Sequence, residues 1–326
     1  MPSLKLLDPL EDSDPFELFD SGGHLKRRKW SHKPKIQGAQ LANELRLLAE
    51  NSRAGFQPTF TSSRHEHEWI VNYLGAFYED SLITDVLRQV KGGKEATVYC
   101  CSAHPRTGAE WVAAKVYRPR VFRALKNDAP YRQGRRVLDA DGKLVKNDSM
   151  LGAVQKGTSF GKELLHTSWL AHEYQTLVLL HRAGADVPQP LASNDNAILM
   201  EYVGEAELAA PALHEVRLPA DEVRPLFDRL IANVETMLAC HRVHADLSAY
   251  NVLYWEGEIR IIDFPQSVDP RENRHARRFF WRDVERLCQY FARYGLRTDA
   301  AALAGSIWAR HVQPGEDAAL LAAAIG

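Results

Sequence analysis

The stretch that most constrains this chain is His244-Ala-Asp-Leu-Ser-Ala-Tyr-Asn251, followed closely by Ile261-Ile-Asp-Phe-Pro-Gln266. Asp246 and Asn251 are five positions apart, and Asp263 lies twelve beyond Asn251. Phosphoryl transfer needs a carboxylate to orient the attacking hydroxyl and hard oxygen ligands to hold magnesium on a triphosphate. Asp246 suits the first task, and Asn251 with Asp263 the second. An H-x-D triplet alone says little. H-x-D-x4-N followed by an apolar strand ending in D-F has the spacing of a kinase catalytic loop and its metal aspartate.

The residues upstream are ordered as a nucleotide-binding half requires. Val90-Lys-Gly-Gly-Lys-Glu-Ala-Thr-Val-Tyr99 reads as a turn opening into a strand. Gly92 and Gly93 let the backbone approach phosphate closely, and Thr97, Val98 and Tyr99 favour β structure. The G-x-x-x-x-G-K-[ST] phosphate loop is absent there. Trp111-Val-Ala-Ala-Lys-Val-Tyr117 then reads as a strand whose Lys115 can reach the α- and β-phosphates. From Leu164 to Ala183, Leu170, Tyr174, Leu177 and Val178 recur with helical period. Glu173 flanks that stripe as a partner for Lys115, with Glu163 as the rival. Gly184 and Pro188-Gln-Pro190 supply the stop signal. Ile198-Leu-Met-Glu-Tyr-Val-Gly204 reads as a buried strand running into a connector.

Together, G-K-E-A-T-V-Y, A-K-V-Y-R, V-P-Q-P, M-E-Y-V-G-E-x-E-L, H-A-D-L-S-A-Y-N and I-I-D-F-P-Q resemble the RIO atypical protein kinases, in a bacterial-looking version. The resemblance runs from about Ile83 to Leu296. It implies an α+β, two-lobed kinase-like fold: an N-lobe of antiparallel sheet plus helix, and a reduced helical C-lobe. It also implies ATP with magnesium or manganese, and serine autophosphorylation or ATPase activity. By motif, Asp246 is the base, Asn251 and Asp263 are metal ligands, and Lys115 pairs with Glu173. Lys91, Gly92, Gly93 and Lys94 cover the phosphates, Val98 lies against the nucleotide, and Glu201 and Val203 supply hinge contacts. Relatives commonly have Ser-Thr at Lys91-Gly92. In archaea and eukaryotes the family also works on the maturing small ribosomal subunit.

The domains expected are an extension over 1–75, an N-lobe over 76–202 with a basic insert at 118–162, and a C-lobe over 203–326. Several conventional kinase features are missing. Position 245 is alanine where H-R-D kinases carry a phosphate-sensing arginine, and Ser248 stands where many carry a γ-phosphate lysine. No A-P-E follows Asp263, so little room is expected for an activation segment. Pro265 replaces the glycine of D-F-G, which should hold Asp263 in one pose. Asp283 is expected to start a helix carrying Val284, Leu287, Cys288 and Phe291, and to accept backbone N–H bonds near His244–Ala245.

At 326 residues, 45% hydrophobic and a formal charge of −1, the chain has no global polyanion-binding signature. Local charge is less even. A basic run lies at 24–35, and between Arg118 and Lys162 eleven Lys/Arg face four Asp. Both segments are candidates for RNA or ribosomal contact, and a mobile solvated loop is an equal alternative for the insert. Asp139-Ala-Asp-Gly-Lys143 suggests a hairpin turn inside it. Residues 1–60 read as an extended tail with a short helix near 41–50. Cys100, Cys101, Cys240 and Cys288 lack C-x-x-C spacing, which suits a reducing cytoplasm. No apolar run is long enough to span a membrane. The leading reading is an ATP-dependent kinase acting on a serine of itself or of a partner protein. The alternatives are a small-molecule phosphotransferase of the aminoglycoside/choline type, an ATPase-gated ribonucleoprotein-binding factor, and a pseudokinase scaffold.

Overall fold

The computed structural model describes residues 55–60, 63–93, 95–117 and 129–312. The expected tail helix, the basic run at 24–35, Lys94 and residues 118–128 of the insert lie outside them. Contacts divide the chain after Asn43, and everything described belongs to the later unit.

Helix α1 (Arg64–Glu79) is capped by Ser63, whose side chain accepts the Glu66 N–H. It runs across the domain boundary expected at residue 75. Strands β1 (Ile83–Gly92), β2 (Ala96–Ala103) and β3 (Trp111–Tyr117) follow. The insert contributes a bridge between Leu138 and Leu144 around the predicted turn, closed by Gly142 N–H to the Asp139 carbonyl at 3.0 Å. Helix α2 (Asp148–Gln155) comes next and packs on α3 (Ser159–Arg182). Gly161 permits that contact, since a Cβ there would lie 2.1 Å from the Ala153 carbonyl. Strands β4 (Pro190–Ser193) and β5 (Ala197–Glu201) complete an antiparallel sheet of order β1-β2-β3-β5-β4.

Register divides that sheet into two faces. Tyr99, Cys101, Val112, Ala114, Val116, Ala197 and Leu199 form one core with Ile70, Leu74 and Phe77 of α1. The sequence reading allowed the sheet one helix. It has a second because an apolar outer face must be covered, and α1 covers it. Val98, Lys115 and Ile198 are directly opposed across three strands, as are Cys100, Ala113 and Met200. These six therefore share the other face.

The remainder is mainly helical: α4 (Ala220–Ala239), the hairpin β6 (Val252–Trp255) and β7 (Glu258–Ile261), α5 (Ala276–Ala292) and α6 (Ala300–His311). Leu226, Phe227, Leu230 and Val234 of α4 bury against Val284, Leu287 and Phe291 of α5 and Ile307 and Trp308 of α6. Helix α5 starts seven residues before the predicted start. Asp283 is thus inside the helix, not at its cap, because Phe279 and Phe280 extend the buried stripe backward.

Candidate active site

Lys115 stands at the junction of the two halves. Its Nζ lies 2.7 Å from Glu173 Oε1 and 2.6 Å from Asp263 Oδ1. The lysine comes from β3, the glutamate from the buried face of α3, and the aspartate from the segment after β7. Glu163, the rival partner, is exposed. Burial works against the charge on Lys115, but Asp263 and Glu173 outweigh it and raise its pKa well above the usual lysine range. Burial likewise opposes ionisation of Asp263. Lys115 reverses that effect and holds the carboxyl below its ordinary value. Tyr117, fully buried, donates its hydroxyl to the other Glu173 oxygen, so both oxygens of that carboxylate are tied down.

The loop from His244 to Asn251 is pinned to the β6–β7 hairpin by its own motif residues. His244 Nε2 meets the Ile262 carbonyl at 3.0 Å, and burial lowers the histidine's pKa and favours the neutral ring. Ile262 N–H donates to the Asn251 carbonyl at 2.9 Å. Asn251 Nδ2 donates to the Asp246 carbonyl at 3.0 Å, which leaves its Oδ1 as the side-chain oxygen for a cation. Ala245 and Asp263 both have positive φ, at 65° and 74°. Non-glycine residues rarely adopt this conformation, which costs of order 1–3 kcal/mol and clusters at functional sites.

Helix α5 grips this loop. Ala245 N–H donates to Asp283 Oδ2 at 2.8 Å, which is the bond expected of Asp283. One turn on, Arg286 forms an ion pair with Asp246 Oδ1 at 2.8 Å. Arg282 donates to the Ala245 carbonyl. Spacing of 282, 283 and 286 on a helix puts these side chains on one face, a signal present in the sequence but passed over there.

The segment after Asp263 is fastened by the insert. Arg135 donates to the carbonyls of Pro265 and Ser267 at 2.6 and 2.7 Å. Asn273 Nδ2 reaches the Pro130 carbonyl at 2.8 Å, and Tyr131 stacks on Phe279 with ring centroids 4.7 Å apart. A polar cavity lies behind Phe264, lined by Arg135, His172, Arg242 and Ser267 among others. Burial, reinforced by the charges of Arg135 and Arg242, lowers the His172 pKa to about 4 and keeps that ring neutral.

Of the other expected site residues, Lys91, Gly92 and Gly93 are exposed at the β1–β2 turn, where Gly93 N–H bonds the Ala96 carbonyl at 2.9 Å. Val98 shares the cleft face with Lys115. Glu201 N–H bonds the Gln189 carbonyl at 2.8 Å, and the Val203 carbonyl accepts from Ala210 N–H at 2.9 Å. The Glu201 side chain pairs with Arg260 at 3.3 Å. The roles of Tyr117, Arg135, Arg260 and Arg286 were not foreseen. Arginine spacing announced Arg286, whereas nothing local marks the other three.

A divalent cation fits the donors present. Asp263 brings a carboxylate and Asn251 an amide oxygen from the adjoining hairpin base. Among the described residues no cluster of three His, Cys, Asp or Glu forms a cage. Two protein oxygens suit a metal that arrives on a triphosphate. The four cysteines are free thiols. Among the described residues no helix is long and apolar enough to cross a membrane.

The sequence matches the RIO domain family over residues 144–303. The RIO-type serine/threonine-protein kinase Rio1 of Thermoplasma acidophilum is 34% identical over 131 residues, covering 40% of this chain and 67% of that protein. Rio1 of Haloferax volcanii is 30% identical over 217 residues, 66% of each chain. Serine/threonine-protein kinase RIO1 of Chaetomium thermophilum is 29% identical over 229 residues, 67% of this chain and 41% of the relative. The chain thus spans well under two thirds of that relative, and 34% of human RIO1. The Rio2 kinase–ADP/Mg2+–phosphoaspartate complex from Chaetomium thermophilum superimposes with a TM-score of 0.50 at 17% identity, over 88% of this chain and 81% of that one. That likeness concerns the fold, a two-lobed kinase-like α+β arrangement.

Proposed function

The chain belongs to the RIO family of serine/threonine-protein kinases, and from that premise we propose that it transfers the γ-phosphate of ATP to a serine hydroxyl, its own or a partner's, or to water. The observation that carries this reading is Lys115 held between Glu173 and Asp263, beside a loop whose Asp246 carboxylate is half-exposed. Asp246 orients the acceptor hydroxyl and takes its proton. Lys115 neutralises the α- and β-phosphates, while Glu173 and Tyr117 keep its stem in place. Asn251 and Asp263 hold magnesium or manganese. When bound, the metal offsets the charge that develops between the β- and γ-phosphates. Lys91, Gly92 and Gly93 close over the phosphates. Val98, Ala113 and Met200 offer the small apolar surface for adenine. Glu201 and Val203 supply the backbone contacts to adenine at the hinge, where the Val203 carbonyl also accepts from Ala210 N–H.

Contact with RNA or a ribosomal particle through 24–35 and 118–162 has less support in the described part of the insert. There Arg135 serves the Pro265 and Ser267 carbonyls and Arg136 faces Glu272 at 3.4 Å. These contacts favour a strap that steadies the Asp263 segment over a free basic flap. Labelled ATP distinguishes the outcomes. In the presence of magnesium, label should enter protein serine or appear as free phosphate. Asp246→Asn should slow this by about 100-fold or more, the usual worth of a general base. An Asp246→Asn protein as fast as wild type, or label found only in an added small-molecule alcohol, would overturn the assignment.

A further inference from the structure

Residue 248 is serine, so this loop carries no lysine to face the transferred phosphate. Its base must ionise and work beside a polyanionic triphosphate without that charge. Positive charge is nevertheless present. Arg286 reaches from α5 to Asp246 Oδ1 at 2.8 Å, with 38% of the arginine side chain and 42% of the aspartate side chain exposed. The pair is set by the fold: Asp283 and Arg282 on the same helix face bind the Ala245 N–H and carbonyl, on the residue just before Asp246. The helix therefore cannot shift relative to the loop without breaking those bonds.

We propose that Arg286 is a positioning residue for phosphoryl transfer, supplying from α5 the cation that the catalytic loop lacks. This inference rests on the kinase reading above. With Oδ1 bound to Arg286, Oδ2 is the oxygen left for the acceptor. The acceptor oxygen then attacks the γ-phosphorus. The bond from that phosphorus to the β–γ bridging oxygen breaks, ADP leaves with its electron pair, and the hydroxyl proton passes to Oδ2 of Asp246. Arg286 orients the carboxylate for this step and screens it from the phosphates, acting through Asp246 and not on ATP.

A half-exposed ion pair adds little to folding, so the two possible roles of Arg286 separate cleanly. Arg286→Met should keep the wild-type unfolding temperature and ATP KM but lose about 10- to 100-fold in kcat, the worth of a charge-assisted hydrogen bond. Arg286→Lys should recover most of that loss. In an Asp246→Asn background, Arg286→Met should have no further effect, because the two act as one unit. Wild-type kcat in Arg286→Met, or an equal kcat loss in both single variants with a lowered unfolding temperature, would overturn the proposal and leave the kinase reading standing. Additive losses in the double variant would do the same. Absence of any ATP-dependent product from the wild-type protein would overturn both.

Discussion

Asp263→Ala is expected to abolish ATP turnover while the protein stays folded. The side chain is 44% exposed and, among the described residues, its ion pair is with Lys115, which keeps Glu173 as a partner after the change. On the proposed assignment, losing this carboxylate from the metal's ligands removes charge stabilisation worth several kcal/mol, or at least about 1,000-fold in rate. Because Asp263 sits at φ 74°, alanine is a poorer control there than asparagine, which tolerates the left-handed region better. Asp263→Asn should therefore match the wild-type unfolding temperature and still lose turnover. Asn251→Ala should be milder, since an amide brings no charge. A metal titration of turnover for the three variants checks this. Near wild-type rates for Asp263→Ala would mean the metal is held elsewhere.

Asp283 should make the protein's stability pH-dependent. It is 3% exposed, and burial raises its pKa to about 7, against the lowering effects of Arg282 and the Ala245 N–H. The folded chain thus holds this proton more tightly than the unfolded chain, whose carboxyl titrates near the ordinary value of about 4. Between those two values the native state binds more protons, so stability falls as pH rises from about 4 to about 7. The full effect is of order 4 kcal/mol. Asp283→Asn keeps an oxygen for the Ala245 N–H and removes the titration, so its unfolding curves should lose this slope. Asp283→Ala instead leaves a buried N–H unpaired, at a cost of about 1–3 kcal/mol. It also frees Ala245, held at φ 65°, so turnover should fall as well. Denaturant unfolding at pH 5 and pH 8 separates the variants. An unchanged slope in Asp283→Asn would assign the pH dependence to another group.

Both predictions rest on residues that the sequence marked for different reasons. The grouping of Asp246, Asn251 and Asp263 was legible because it is local: the loop and hairpin joining them are short and bond to themselves through His244, Asn251 and Ile262. The glycine turn, the Lys115 strand and the antiparallel sheet were legible too, since turn chemistry and strand period are written in neighbouring residues. The start of α5 was misplaced because its first turn is rich in arginine, which hides Phe279 and Phe280 from an apolar-period reading. Helix α1 was missed as a cover for the sheet because its partner strands are spread over more than a hundred later positions.

The sequence by itself determined which groups are on offer: a carboxylate at 246, side-chain oxygens at 251 and 263, a strand lysine at 115, and their order along the chain. Only the tertiary structure decided which groups meet. Glu173, not Glu163, faces Lys115 across 58 positions, and Asp263 joins the same lysine across 148. Arg135 reached Pro265 by the same route. Such pairs depend on how helices pack on the sheet and on the loop, and no residue-by-residue pattern records that packing. A side chain's neighbours along the chain set its backbone, but its neighbours in space set its charge and its partner.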